Sequence, residues 1–201
     1  MRKRLFLNLI SVFIVALTAA AALVLQTSAD TVDYGLKVGG TRVKSDKLSG
    51  DGWKFDPNTN TLTLNGFVSD VEDKASFMKY DSELKVYYYA FIHVENSMNL
   101  NIKLEGKESV IGDPYISGHA AEQIGKTDSY NTFYGIYNPN GNVTITGSAR
   151  LKVYTNLRGI SASKLTVDGC TGTIMMGAYT NCINVQRLIV KGGTKINATC
   201  G

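Results

Sequence analysis

The chain has 201 residues, 44% hydrophobic and 19% charged, with 20 glycines and a formal net charge of +4. The 21 basic residues include Arg2, Lys3 and Arg4, and beyond residue 29 the balance is 18 basic to 17 acidic. The alkaline character thus belongs to the leader, and no nucleic-acid partner is expected.

The N-terminus reads as an export signal. Arg2-Lys3-Arg4, an apolar run from Leu5 to Leu25 and Thr27-Ser28-Ala29 supply a basic region, a hydrophobic region and a small-residue cleavage site. A run of 21 residues is also long enough to span a bilayer uncleaved. Ala19 to Ala22 dilute its hydrophobicity, which favours cleavage near Ala29. Residues 1–29 are expected to be a signal peptide or, if uncleaved, a membrane anchor through residues 5–25. The remainder is expected to be extracellular or on the cell surface.

Residues 30–66 read as an N-terminal cap. Trp53-Lys54-Phe55 and Thr61-Leu62-Thr63-Leu64 alternate as strands, and Pro57 sits where a type I turn favours it. Asp56, Asn58 and Asn60 mimic the start of a calcium loop. However, Thr61 stands where that loop needs Gly and Phe67 where it needs a bidentate Glu, so a turn is expected instead. Residues 67–133 read as irregular first rungs with an inserted loop. Ser69-Asp70-Val71-Glu72 has the form of a capping box before Ala75, Phe77 and Met78, which predicts one short helix over the N-terminal end. Tyr87-Tyr88-Tyr89 marks an aromatic strand, Phe91 to Val94 and Leu100 to Gly106 a weak rung, and Gly112 to Phe133 a loop thrown out from one corner.

From residue 134 to 201 one phrase recurs, beginning at Tyr134, Arg158 and Cys182, with a period of 22 to 24 residues. Ile136, Ile160 and Ile183 open each unit. Val143/Ile145, Leu165/Val167 and Leu188/Val190 form one strand, and Leu151/Val153, Ile174/Met176 and Ile196/Ala198 a second, with Gly147, Gly169 and Gly192 at the corner between. About 23 residues leave no room for a crossover helix, and a propeller blade needs roughly 40. The expected fold is all-β: a right-handed parallel β-helix of four to five rungs with an N-terminal β-hairpin cap. The chain is expected to stop in mid-stack, with no polar cap over its last rung.

Charge divides the stack. Residues 30–133 carry 11 basic and 16 acidic side chains, whereas residues 134–201 carry seven basic and only Asp168. Alternation points Arg150, Lys152 and Lys195 outward from the second strand, while Asp168 is expected to be neutralised by Lys191. Such cations serve simply to keep an extended β surface soluble, or they form a ladder complementary to a linear polyanion. Tyr130, Tyr154 and Tyr179, with Asn131, Asn156 and Asn181, suggest a stacked row on one corner that packs sugar rings. The same row also serves as corner packing with no ligand.

Catalytic chemistry is hard to find. His93 and His119 have no second His or Cys at a metal-ligand spacing, and no metal ligand or catalytic residue is assigned. A lyase would need clustered carboxylates, and only Asp113 and Asp128 of the loop, near Arg158, offer a route to one. Of Cys170, Cys182 and Cys200, one pair is expected to bridge neighbouring rungs if the surroundings are oxidising.

Residues 34–67, YGLKVGGTRVKSDKLSGDGWKFDPNTNTLTLNGF, resemble the opening module of secreted or surface-bound carbohydrate-binding-domain proteins of anaerobic Firmicutes, which are related in fold to pectate lyases. The resemblance covers residues 34–66 strongly and 90–201 in rhythm. It implies an extracellular polysaccharide-binding β-helix, with calcium as the only cofactor it suggests and a polygalacturonate-like polysaccharide as partner. The expected function is non-catalytic binding of acidic or plant-wall glycans. The alternatives are a cell-surface adhesin or stalk, and a polysaccharide lyase.

Overall fold

A computed structural model describes residues 30–69, 76–82, 86–112, 130–178 and 180–200, and among these every regular element is a strand. The chain divides into two units, Met1–Val32 and Asp33–Gly201, and all the strands belong to the second. Asp33–Val38 (β1) and Thr41–Lys44 (β2) form a hairpin, while Ser49–Gly50 (β3), Trp53–Asp56 (β4) and Thr61–Leu64 (β5) form a meander. Val68–Ser69 (β6), Ser76–Asp81 (β7), Val86–Val94 (β8), Leu100–Leu104 (β9) and Ser109–Gly112 (β10) follow. Long and short strands then alternate: Tyr130–Gly147 (β11), Leu151–Thr155 (β12), Arg158–Asp168 (β13), Thr173–Ala178 (β14), Asn181–Lys191 (β15) and Lys195–Cys200 (β16).

The short strands lie in a five-stranded sheet ordered β16-β14-β12-β10-β6, parallel throughout. The long strands β11, β13 and β15 pair in parallel within an eleven-stranded sheet, where the first half of β11 lies on β8 and its second half on β9. That larger sheet is mixed. β1 and β7 both run antiparallel to β8, and β4 antiparallel to β5. These antiparallel partners cover backbone edges that β8 and β5 would otherwise present to other chains.

The rows expected from the repeat are in register. Ile136 pairs with Ile160 and Ile160 with Ile183, and Ile145, Val167 and Val190 align likewise. In the smaller sheet Leu151, Ile174 and Ile196 align. Ile136, Ile145, Leu151, Ile160, Val167 and Ile174 are wholly buried because a strand lies on either side of each. Among the described residues nothing lies beyond β15, and there Leu188 and Val190 are 47% and 45% exposed.

Two kinds of glycine position explain the chain path, a corner and a close approach. Gly147, Gly169 and Gly192 turn the corner with φ of 109°, 62° and 67°, a region that side chains disfavour. A Cβ on Gly135 would stand 2.3 Å from Val153 Cγ1 and 2.5 Å from the Gly159 carbonyl oxygen, so the two sheets meet there at a distance only glycine permits.

Two expectations need correction, and one hairpin is additional. The short helix does not extend over Phe77 and Met78, which belong to β7; Asp70 to Ala75 lie outside the described residues. Cross-strand aromatic pairing favours the strand here, with the Tyr80 and Tyr87 rings 4.5 Å apart. Cys182 and Cys200 form the disulfide, but it joins the start of β15 to the end of β16 within one turn of chain instead of bridging neighbouring rungs; Cys170 is free and buried. The β1–β2 hairpin was not anticipated, although Gly39-Gly40, with φ of 53° and 75°, is the signal for a two-residue turn of this kind. The proposed leader, residues 1–29, and most of the inserted loop, residues 113–129, lie outside the described residues.

The burial gradient along one row gives a direct test of the stack. Ile160→Ala, in the middle of its row, is expected to cost about 2 to 5 kcal/mol in urea unfolding, and Leu188→Ala about 1 kcal/mol or less. Equal losses at the two sites would contradict the packing described.

Candidate functional site

The basic face of the smaller sheet is built by alternation. Leu151 and Ile174 point inward, so Arg150 just before β12 and Thr173 of β14 fall on the outside, with Lys195 of β16 paired to Thr173. Arg150 and Lys195 are exposed and stand two strands apart in one transverse row. Lys152 differs. Its Nζ lies 2.7 Å from Glu108 Oε1 on the preceding turn, so the face is less uniformly basic than the repeats alone suggest. The expected neutralisation of Asp168 by Lys191 is present, at 2.9 Å. Of the seven cations in residues 134–201, Arg150, Arg158, Lys164, Arg187 and Lys195 make no ion pair among the described residues.

Tyr130 and Tyr154 do not form a row. Tyr130 begins β11 and pairs with Val86 in the larger sheet, whereas Tyr154 lies in β12 between Gly112 and Gly177 in the smaller one. The two tyrosines hold the same place relative to Gly-Ile, but Tyr130 runs straight into a long strand while the chain after Tyr154 must first turn through Asn156 and Leu157. Asn156 instead uses its side-chain oxygen to accept the Phe133 backbone N–H at 2.7 Å. Tyr179 lies outside the described residues.

A second cluster, which no motif signalled, lies on the outside of the larger sheet. Since Gly135 faces inward, Tyr134 stands on the outer side of β11, and it is buried without belonging to the main core. Its ring meets Tyr137 edge-on at 4.7 Å and lies 6.2 Å from Tyr88, and the Arg158 guanidinium sits over it at 5.9 Å. A transverse row continues through Arg42, Lys37, His93, Tyr137, Ser161 and Asn184. The only advance sign was the shared position of Tyr134 and Arg158 at the head of successive repeats.

Electrostatics around this row are structured. Glu95 is bound by Lys37 at 2.7 Å and by Arg42 at 2.5 Å, and Arg42 also reaches Asp33. Burial pushes the Glu95 carboxyl up, but Lys37, through its hydrogen bond and charge, and then Arg42 outweigh it and hold the carboxyl below its ordinary 4.5. Burial, and after it the charge of Lys37, push the His93 imidazole below its ordinary 6.5. Burial likewise raises the Tyr134 hydroxyl. Two buried polar atoms here, His93 Nδ1 and Arg158 Nε, have no hydrogen-bond partner.

The turn that mimicked a calcium loop is closed by Asp56. Both Asp56 oxygens are occupied locally, one by the Asn58 N–H at 3.0 Å and the other by the Thr59 hydroxyl at 2.8 Å. Among the described residues no group of three or more His, Cys, Asp or Glu is placed to hold a metal. No family model, curated protein or solved structure matches this chain.

The depressed His93 sets a pH dependence. Its folded pKa lies below the unfolded 6.5, so from about pH 6.5 downward the unfolded chain takes up a proton that the folded chain resists, and stability falls. Glu95 adds to this at lower pH, because its stabilisation is lost as pH drops through its depressed folded value. Calorimetric melting is expected to show a declining Tm as pH falls below about 6.5 and a flatter upper part of that decline in His93→Gln. An unchanged pH profile in the variant would remove His93 as the cause.

Proposed function

We propose that this chain is an exported, non-catalytic polysaccharide-binding protein whose two sheets are walls of a right-handed parallel β-helix, and that its partner is an acidic glycan. The observation that carries the reading is the set of five cations in the C-terminal rungs without carboxylate partners among the described residues, set against a single acid that is already paired. Arg150 and Lys195 stand two strands apart in one row, about 10 Å at about 4.8 Å per strand, and a linear polyanion lying across the strands meets both. The resemblance of residues 34–67 to carbohydrate-binding-domain proteins supports the same class of partner, and the basic leader supports export. Binding is favoured over cleavage because Asp168, the one carboxylate of these rungs, is engaged by Lys191.

Each exposed contact from Arg150 or Lys195 is expected to contribute about 0.2 to 1 kcal/mol. Retention on immobilised polygalacturonate should therefore be weak for a monomer, should fall with salt, and should weaken further in the double variant Arg150→Ala, Lys195→Ala without a change in Tm. Binding of a neutral glucan with equal strength, insensitive to salt and to both substitutions, would overturn the electrostatic reading. Release of unsaturated uronides from the polymer would overturn the non-catalytic one.

A further inference from the structure

We infer that the outer-face cluster around Tyr134, Tyr137 and Arg158 is a recognition subsite for one carboxylate-bearing sugar residue, separate from the Arg150/Lys195 face. This inference rests on the acidic-glycan reading. An outward strand face that meets water more often alternates polar or charged side chains with the inward apolar ones. Here the outer positions of β8 and β11 bring Tyr88 and Tyr137 each against the ring of Tyr134, although none of the three is needed to fill the interior, which is packed by other residues. Tyr134 is buried, but Tyr88 and Tyr137 are half-buried, and their exposed parts offer an apolar ring face beside hydroxyls that accept and donate, the combination that seats a pyranose ring.

Arg158 supplies the charge. It is half-buried and rests on the Tyr134 ring, with no acidic partner among the described residues. Its Nε–H is buried without an acceptor, and a buried donor in that condition is destabilising. A planar carboxylate from outside would supply the missing acceptor, because the guanidinium fork takes two carboxylate oxygens at once after a small rotation of its long side chain. Polar groups for ring hydroxyls adjoin on the next strands, where Asn184 donates to the Ser161 hydroxyl at 3.4 Å. On the other flank Glu95 is already engaged by Lys37 and Arg42, so it does not compete for Arg158.

The test is calorimetric titration of the whole chain at low salt with trigalacturonate, with uncharged galactotriose as control. Trigalacturonate is expected to bind and the neutral trimer is not. Arg158→Gln and Tyr137→Leu should each weaken binding by about tenfold or more, the scale of a lost charge-assisted contact. Arg158→Lys should restore only part of it, because the ammonium lacks the fork. Asn184→Ala, at a half-buried position on the strand surface, provides a variant that leaves the fold standing and should also weaken the trimer. The Arg150→Ala, Lys195→Ala pair should leave trimer affinity unchanged while weakening the polymer. Trimer binding that survives Arg158→Gln and Tyr137→Leu, trimer binding lost only in the Arg150/Lys195 pair, or polymer binding without trimer binding would each overturn the subsite while acidic-glycan binding stood. Failure of the wild type to bind either trimer or polymer would overturn both.

Discussion

The parallel strands β11 to β16 bury their apolar residues only where a strand lies on either side of them. Ile160 is buried because Ile136 and Ile183 lie on either side of it in register. The backbone obeys the same constraint, since each strand's N–H and C=O groups must find partners on both neighbours or face water. The N-terminal architecture follows from it. β1 and β7 share the exposed edge of β8, β4 covers β5, and the antiparallel direction of all three makes the larger sheet mixed where repetition alone would have made it parallel. At the other side of the stack Leu188 and Val190 point toward the same interior rows yet remain nearly half exposed, which shows how completely burial depends on the neighbouring strand.

Because the inward rows carry the fold, the outward positions are free to carry charge, and they carry it unevenly. Lys152 and Lys191 have acidic partners, on Glu108 and Asp168. Lys164 and Arg187 stand directly opposite one another on β13 and β15, an arrangement that is destabilising in the absence of an anion. A surface selected only for solubility intersperses both signs, and residues 134–201 do not. The repulsion is small per pair in water and screened within about 8 to 10 Å at moderate salt, so the stack tolerates it. An extended anion would relieve it at several positions together.

How much of this was legible in advance depended on distance along the chain. The Ile, Val and Gly columns repeat every 22 to 24 residues, so the period alone placed Ile136 beside Ile160 and Gly147 at a corner. Partners that do not repeat were invisible. Glu108 lies outside the regular repeats, and its pairing with Lys152 depends on β10 adding to the smaller sheet in register with β12. The Tyr130/Tyr154 row failed for the opposite reason: equal spacing from Gly-Ile was read as equal position, but the chain enters one wall directly and reaches the other only after a turn. Phe77 shows local signals losing to tertiary context, since a capping-box pattern preceded a segment that β8 recruited as a partner strand.

The two candidate faces have different physics, and this bears on what each can contribute to recognition. Exposed cations such as Arg150 and Lys195 would hold a polyanion weakly at each contact, and affinity would accumulate through many contacts at high effective concentration with little regard for the sugar between the charges. A half-buried guanidinium fixed on an aromatic ring is already partly desolvated and oriented, so less is lost on binding and a misplaced charge is rejected more strongly. A chain with only the first face would retain polyanions in general. On the proposed reading, Arg158, Tyr137 and the Asn184–Ser161 pair on the other sheet would add selectivity for ring shape and carboxylate position, and the inward-facing Gly135 leaves the outer side of β11 to Tyr134, on which Arg158 rests.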